Sequence, residues 1–277
     1  MPPIKLAPGT AAYSDRNPPP SHAQLLKLTA IFLSLILITI WSILGLVNAI
    51  VWWMPPSIEQ QLGALIVPVY EKMAQPSPTQ DKLNQLVDRL EAKLPNSQKE
   101  RNYQVLYIPE STVNAGALPG DRIILYKGLL KEVQSENELM MVLGHELGHF
   151  ANRDHLRGLG QGLLLQLAFS WVTGDAGSLS AIAASGVVAL SRAKFSQTQE
   201  IQADQFGLTL LQSNYGHAAG ASDFFARLGQ KEDGDIAAML ATHPPSKNRV
   251  AALEKLIRDR GYPLRDKSPL PPVLLSD

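Results

Sequence analysis

The sequence predicts an α+β fold, predominantly helical, with a small sheet and one N-terminal helix that crosses a membrane. Three observations carry this expectation. An apolar, uncharged run fills residues 28–54, a helical pattern with two histidines at i and i+4 lies at mid-chain, and short β-rich runs precede that pattern. At 277 residues and 30.2 kDa the chain holds one well-buried domain with additions. A formal net charge of zero and a pI near 7.0 give no basic surface, so no nucleic-acid partner is expected. The absence of cysteine excludes disulfides and thiolate metal sites, leaving histidine and carboxylate as metal ligands.

Residues 1–24, with Pro18, Pro19 and Pro20, are expected to form a disordered tail. Residues 25–54 are the predicted transmembrane helix, because a rise of about 1.5 Å per residue carries the apolar run across a hydrocarbon core of roughly 30 Å. Trp52 and Trp53 stand at its end, where an interfacial aromatic belt belongs, and Pro55 and Pro56 stop it. The small residues around Val47, Asn48 and Ala49 offer a signal-peptide reading, but the apolar run continues past them. Arg16 and Lys27 precede the helix and the first base after it is Lys72, so the N-terminus is expected in the cytoplasm and the remainder outside it. Residues 55–78 are expected to be a linker to a domain over 79–260.

That domain opens with an amphipathic helix carrying Leu83, Leu86, Val87, Leu90 and Leu94 on one face. Residues 103–108 and 122–126 read as strands, and 112–118 as an edge strand between them in sequence. An edge strand beside a reactive cleft pairs with an extended peptide through main-chain bonds, which makes Asn114, Ala115 and Gly116 candidate substrate-binding residues.

Ser135 followed by Glu138 reads as a capping box, and Leu139, Val142, Leu143 and Phe150 continue an apolar stripe. His145 and His149 fall inside that helix and share a face, with Glu146 beside them. Two imidazoles at this spacing hold one Zn²⁺ while the glutamate meets its water, the apparatus of a zinc hydrolase. A catalytic zinc takes a third protein ligand. His155 stands where one lineage carries a third histidine, with Asn152 in place of the glycine that turns the chain out of the helix. Glu200 is the rival and the preferred candidate. It lies on a second helix capped by Ser196, with Asp204 four residues on and placed to orient a ligand imidazole.

HELGHF, QEIQAD and THPPSKNR, preceded by VNAGALPGDRIIL, resemble the zinc metalloproteases typified by the heat-shock membrane protease HtpX and the CAAX prenyl protease. The motifs occur in that family's order over residues 114–249, about half the chain. The resemblance implies a zincin-type (gluzincin) domain holding one zinc ion per chain on His145, His149 and Glu200. It also implies Glu146 as general base and Asp204 supporting a ligand histidine. His243, Pro244 and Arg249 match the family's downstream motif. Of these, His243 is expected to donate to the oxyanion, with occupation of the fourth zinc position as the other possibility. Arg249 is expected to fix substrate or the His243 loop.

Two apolar stretches, 159–172 and 179–190, are separated by Gly174–Gly177 and are expected to form a helical hairpin over 156–191 that lids the cleft or dips into the bilayer. The proline-rich residues 261–277 read as a loose tail. The function expected from all of this is a membrane-anchored endopeptidase, with polypeptide substrates and the lipid bilayer as partners and a role in quality control implied by the resemblance. A non-catalytic zinc-binding chaperone or adaptor is the alternative. It has no use for Glu146. A prenyl-peptide protease would need a multi-helix membrane chamber that a single span does not offer.

Overall fold

Helix α1 (His22–Trp53) grows directly out of the apolar run and starts a few residues before the expected boundary. It is long and apolar enough to cross a membrane. The computed structural model describes residues 19–95, 101–162, 194–230, 236–244 and 247–275. These divide into two compact units, 1–46 and 47–277. In the first unit every described side chain is exposed, as befits a helix whose apolar surface meets lipid.

The second unit starts with the last turns of α1, where Val51 is buried. Arg153 donates from Nη1 to the carbonyls of Val51 (2.8 Å) and Met54 (2.6 Å), placing a cation on the orphan carbonyls of a helix C-terminus.

Residues 55–78 are not a linker. Pro56 occupies the first turn of helix α2 (Pro56–Glu71), where a missing N–H costs nothing, so the proline pair ends one helix and begins another. Its inner face buries Glu59, Gly63, Ile66, Val67 and Tyr70. A Cβ on Gly63 would lie 2.6 Å from Gly120 Cα and 2.7 Å from the Pro119 carbonyl, so α2 touches that turn backbone to backbone.

Helix α3 (Pro78–Glu91), capped by Ser77, packs Leu83, Leu86, Val87 and Leu90 into the main core. Its polar face covers one side of a sheet. Gln80, Asn84 and Glu91 accept from the backbone N–H groups of Tyr107 (3.1 Å), Val105 (2.7 Å) and Tyr103 (2.5 Å). The sheet holds β1 (Gln104–Ile108), β2 (Ala115–Leu118) and β3 (Arg122–Tyr126) in the order β1-β3-β2. β1 runs parallel to β3, pairing Gln104 with Arg122, and β2 runs antiparallel to it, pairing Ala115 with Leu125. Side chains alternate as a pleated strand requires. Val105, Tyr107, Ile123 and Leu125 enter the main core, while Leu106, Ile108 and Ile124 join Ile66, Val67 and Tyr70 of α2. The α3 side chains satisfy the outer edge of β1, and β2 is the other edge, with no second strand beside it among the described residues.

Helix α4 (Lys127–Glu132) leads to α5 (Glu136–Ala151), which starts as expected at Ser135 with its Oγ accepting from Glu138 N at 3.2 Å. The capping box is only half made. Glu138 is drawn off to Arg227 and to the Gln134 N–H. After α5 the left-handed residue is Arg153 (φ 58°), whereas Asn152 stays right-handed, so the chain turns one residue later than the sequence suggested. Residues 154–162 are helical, with Leu156 and Leu159 buried. The rest of the expected hairpin, including Trp171, lies outside the described residues, as do most of the expected N-terminal tail and Ser246.

Helices α6 (Gln197–Tyr215), α7 (Asp223–Leu228), α8 (Ala237–Thr242) and α9 (Lys247–Asp259) complete the core. Residues 262–275 are a strap and not a loose tail. Their prolines leave room for only a single 3-10 turn, Pro272–Leu274, among the described residues, yet Leu270, Val273 and Leu274 pack on the core. The strap's backbone bonds Ala218 N, Glu136 N and Asn137 Oδ1, and Val273 O accepts from Thr79.

Candidate active site

Helices α5 and α6 lie unusually close because glycine and alanine line their contact. A Cβ on Gly148 would sit 2.7 Å from Ala203 Cα, and one on Gly144 would sit 3.0 Å from Gly207 Cα. The same turns carry His145 and His149 on one helix and Glu200 and Asp204 on the other, so backbone proximity brings four functional groups together. All four are buried. Ser196 and Gln199 form a complete capping box at the start of α6, fixing the rotation of the helix that presents Glu200.

The imidazole faces of α5 point at Glu200 and at His243, which follows α8. His145 Nε2 lies 3.1 Å from His149 Nε2 and 3.3 Å from His243 Nδ1; Glu200 Oε1 lies 3.4 Å from His149 Nε2 and 3.0 Å from His243 Nδ1. Each histidine of α5 has its other nitrogen on a carboxylate. His145 Nδ1 is 2.9 Å from Asp204 Oδ1, and His149 Nδ1 is 3.0 Å from Asp154 Oδ2. With each Nδ1 held by a carboxylate, the two Nε2 atoms converge with a Glu200 oxygen on one point, where positive charge is needed. A cation resolves that arrangement. Ligands of a tetrahedral zinc, each about 2.0–2.1 Å from the metal, stand about 3.3 Å apart; the four pairs given above are 3.0–3.4 Å apart, and all four atoms lie within 4.8 Å of one another. The residues present therefore fit a metal ion of this type, with His243 at the fourth corner.

Electrostatics follows from burial and pairing. Burial opposes ionisation of Glu200, but the charges of His243 and His145 and hydrogen bonds from His149 and His243 hold its carboxyl far below the usual range. Burial lowers His145. It would lower His149 too, but hydrogen bonds to Asp154 and Glu200 and the charge of Glu146 push that imidazole up to about 9. Asp154 and Asp204, also opposed by burial, are lowered by the histidines they hold.

Glu146 is fully buried beside the cluster, neither of its oxygens has a hydrogen-bond partner, and Oε1 lies 3.9 Å from His243 Nε2. Arg249 does not face a substrate. Its Nε and Nη2 clamp Asp204 at 2.9 and 2.8 Å, Nη1 pairs with Glu200 and reaches the Pro244 carbonyl at 3.3 Å, and the guanidinium sits over the Phe225 ring. It braces the two acids of α6 and the His243 loop. His155 is placed away from the cluster, with Nε2 on Glu59 Oε1 at 2.9 Å in an ion-pair network that includes Arg101 and Asp121.

Two residues of the site escaped the sequence reading. Asp154 orients His149, and the requirement that every ligand imidazole have a second partner was the signal for it. Phe195 stacks on the His149 ring at a centroid distance of 4.0 Å, and its isolated apolar side chain carried no signal. Phe195 and His243 line a cleft of about 40 Å³ together with Ala115, Gly116 and Ala117 of β2, Asn114 and Tyr70. That volume admits water.

A model of peptidase family M48 matches residues 77–257. The chain is 33% identical over 157 residues to the mitochondrial metalloendopeptidase OMA1 of Arabidopsis thaliana, covering 55% of this chain and 31% of that protein. It is 32% identical over 163 residues to the metalloprotease LoiP of Escherichia coli K12, covering 57% and 62%. A third relative, a protease HtpX homolog of Thermococcus kodakarensis, is 27% identical over 200 residues, covering 57% and 69%. The chain thus spans about a third of the first relative's length and about three fifths of the second's.

Proposed function

The chain belongs to peptidase family M48, and from that premise we propose that it is a membrane-anchored zinc endopeptidase of polypeptides. The observation that carries this reading is Glu146, a buried carboxylate without a hydrogen-bond partner beside a cluster of metal-ligand atoms. A structural metal site has no use for such a group. His145, His149 and Glu200 hold the zinc, oriented by Asp204 and Asp154. When bound, zinc supplies the acidity that makes water nucleophilic near neutral pH and polarises the scissile carbonyl. Glu146 accepts the proton of the attacking water and returns it to the leaving amine. The open edge of β2, at Asn114, Ala115 and Gly116, receives the substrate backbone as an added strand.

His243 serves this site as a gate. Its Nδ1 stands 3.3 Å from His145 Nε2 and 3.0 Å from Glu200 Oε1, close to the separation of two ligands on one zinc, which supports occupation of the fourth position at rest over the oxyanion role expected from the sequence. Substrate entry then requires the His243 loop to withdraw. Residues 79–260 form the peptidase domain, and the charge pattern around α1 favours a cytoplasmic N-terminus with that domain outside. Quality control of misfolded or membrane-associated proteins is the role that fits.

The test is cleavage of casein by the purified full chain. Cleavage is expected to stop with a chelator, to return with Zn²⁺, and to be nearly absent in Glu146→Gln protein that still holds one zinc. Turnover like that of the wild type in zinc-loaded Glu146→Gln would refute the mechanism. A wild type that holds zinc but cleaves neither casein nor a peptide library would favour an adaptor.

A further inference from the structure

Helix α2 has two faces, and only one of them is used by the fold. Its inner face is locked to the sheet, through Ile66, Val67 and Tyr70 and through the backbone contact of Gly63 with Gly120. On the outer face Ile58, Leu65 and Val69 are 41%, 53% and 39% exposed. Their spacing of seven and four residues keeps them on one stripe of the helix. Between Pro56 and Val69 the only charged residue is Glu59, which is buried on the opposite face and paired with Arg101 and His155. Large exposed apolar side chains on an otherwise uncharged helix face mark a contact surface.

What covers that face follows from chain continuity. α2 begins three residues after Trp53, the last residue of the helix long enough to cross a membrane, and Trp52 and Trp53 are themselves exposed. Tryptophans at that position belong to the layer of lipid headgroups. Val51 is buried in the second unit, and Arg153 holds the carbonyls of Val51 and Met54. Chain length alone keeps a helix that starts three residues past the end of that span within reach of the bilayer surface.

We propose that α2 is a second membrane contact, with Ile58, Leu65 and Val69 entering the interfacial layer of the bilayer that α1 crosses. α2 is an interfacial helix, apolar towards the acyl boundary and fixed to the sheet on its other side. A consequence for substrate class rests on the proteolytic reading above. Tyr70 of α2 lines the same cleft as Ala115 and Gly116, so seating α2 on lipid holds the open edge of β2 near the membrane. The enzyme then favours extended segments that emerge next to the bilayer over the same segments free in solution.

The chain has no cysteine, so single reporters are introduced by Leu65→Cys, Val69→Cys and, as a control, Lys255→Cys, which is 69% exposed on α9. Each full-length variant is labelled with an environment-sensitive fluorophore and reconstituted into phosphatidylcholine–phosphatidylglycerol vesicles. At Leu65 and Val69 we expect blue-shifted emission, quenching by nitroxide-bearing lipid and shielding from aqueous iodide, with the reverse at Lys255. Iodide quenching at Leu65 and Val69 equal to that at Lys255 would overturn the proposal. So would shielding from both quenchers, the sign of a protein partner. Cleavage of one peptide, free or tethered to the vesicle by a lipid, tests the consequence: Leu65→Glu/Val69→Glu should lose the preference for the tethered form. If the wild type cleaves neither form, the peptidase reading fails while the quenching result stands.

Discussion

Glu200 and His155 competed in sequence for one role, and their surroundings separate them. Glu200 shares its oxygen environment with three imidazoles, whereas His155 is occupied by Glu59. Glu200→Gln should therefore empty the site under chelator competition, since a neutral amide is a poor ligand, and His155→Ala should leave metal content close to one ion per chain. Loss of metal in His155→Ala with retention in Glu200→Gln would restore the other lineage. His243→Ala makes a second prediction. A residue that fills the fourth position at rest restrains basal turnover, so its removal should raise peptidase activity measured before any activating treatment. A fall in kcat of about 10²-fold with KM unchanged would instead identify an oxyanion donor. The metal residues were legible because helical spacing places i and i+4 on one face whatever the tertiary fold. Phe195 was not, because a stacking partner is defined only by where its loop lands, and sequence could not choose between substrate and the His243 loop for Arg249, because it shows a charge but not the acids and the Pro244 carbonyl that surround it.

At the scale of elements, the site depends on how closely α5 and α6 approach. A Cβ on Gly207 would lie 2.9 Å from His145 N and 3.1 Å from Met141 O, backbone that has no freedom to yield. Gly207→Val should force the two helices apart, lowering stability by about 1–3 kcal/mol in thermal melts and weakening zinc retention more than changes elsewhere on α6. A variant with wild-type zinc affinity would show that the ligands tolerate separation. The three strands and α3 could be read from alternation and amphipathic pattern, since both are local signals. α2 could not, because the proline pair that ends α1 is equally the opening of a new helix, and only the buried Gly63 contact with Gly120 explains why the segment folds back. The strap over 262–275 was hidden for a related reason: proline-rich chain without secondary structure looks alike in sequence whether it packs or not.

Within the second unit, a buried acid ties α2 to the segments that carry Arg101 and His155. Glu59 meets Arg101 at 2.7 Å and His155 at 2.9 Å. Burial would raise its carboxyl, but hydrogen bonds and charges from His155 and Arg101 hold it at about 2, below an ordinary value of 4.5. A depressed folded-state pKa stabilises the fold above the unfolded value and is lost as pH falls towards the folded one. Stability should therefore fall between about pH 4.5 and 2 in the wild type, and Glu59→Gln should be less stable at pH 7 with a flatter profile across that window. Equal pH slopes in denaturant titrations of the two proteins would remove Glu59 from this role.

The strap also bears on the order in which the molecule is made. Ser268 accepts from Glu136 N and donates to Asn137 Oδ1, so the first turn of the helix that carries His145 and His149 is completed by residues translated 131 positions later. At ribosomal rates that is roughly 7–26 s during which the nascent chain holds every candidate zinc ligand of α5 on a helix whose start is unsecured. The helix that carries two of the candidate ligands is therefore complete only once residue 268 has been added and has folded back onto it.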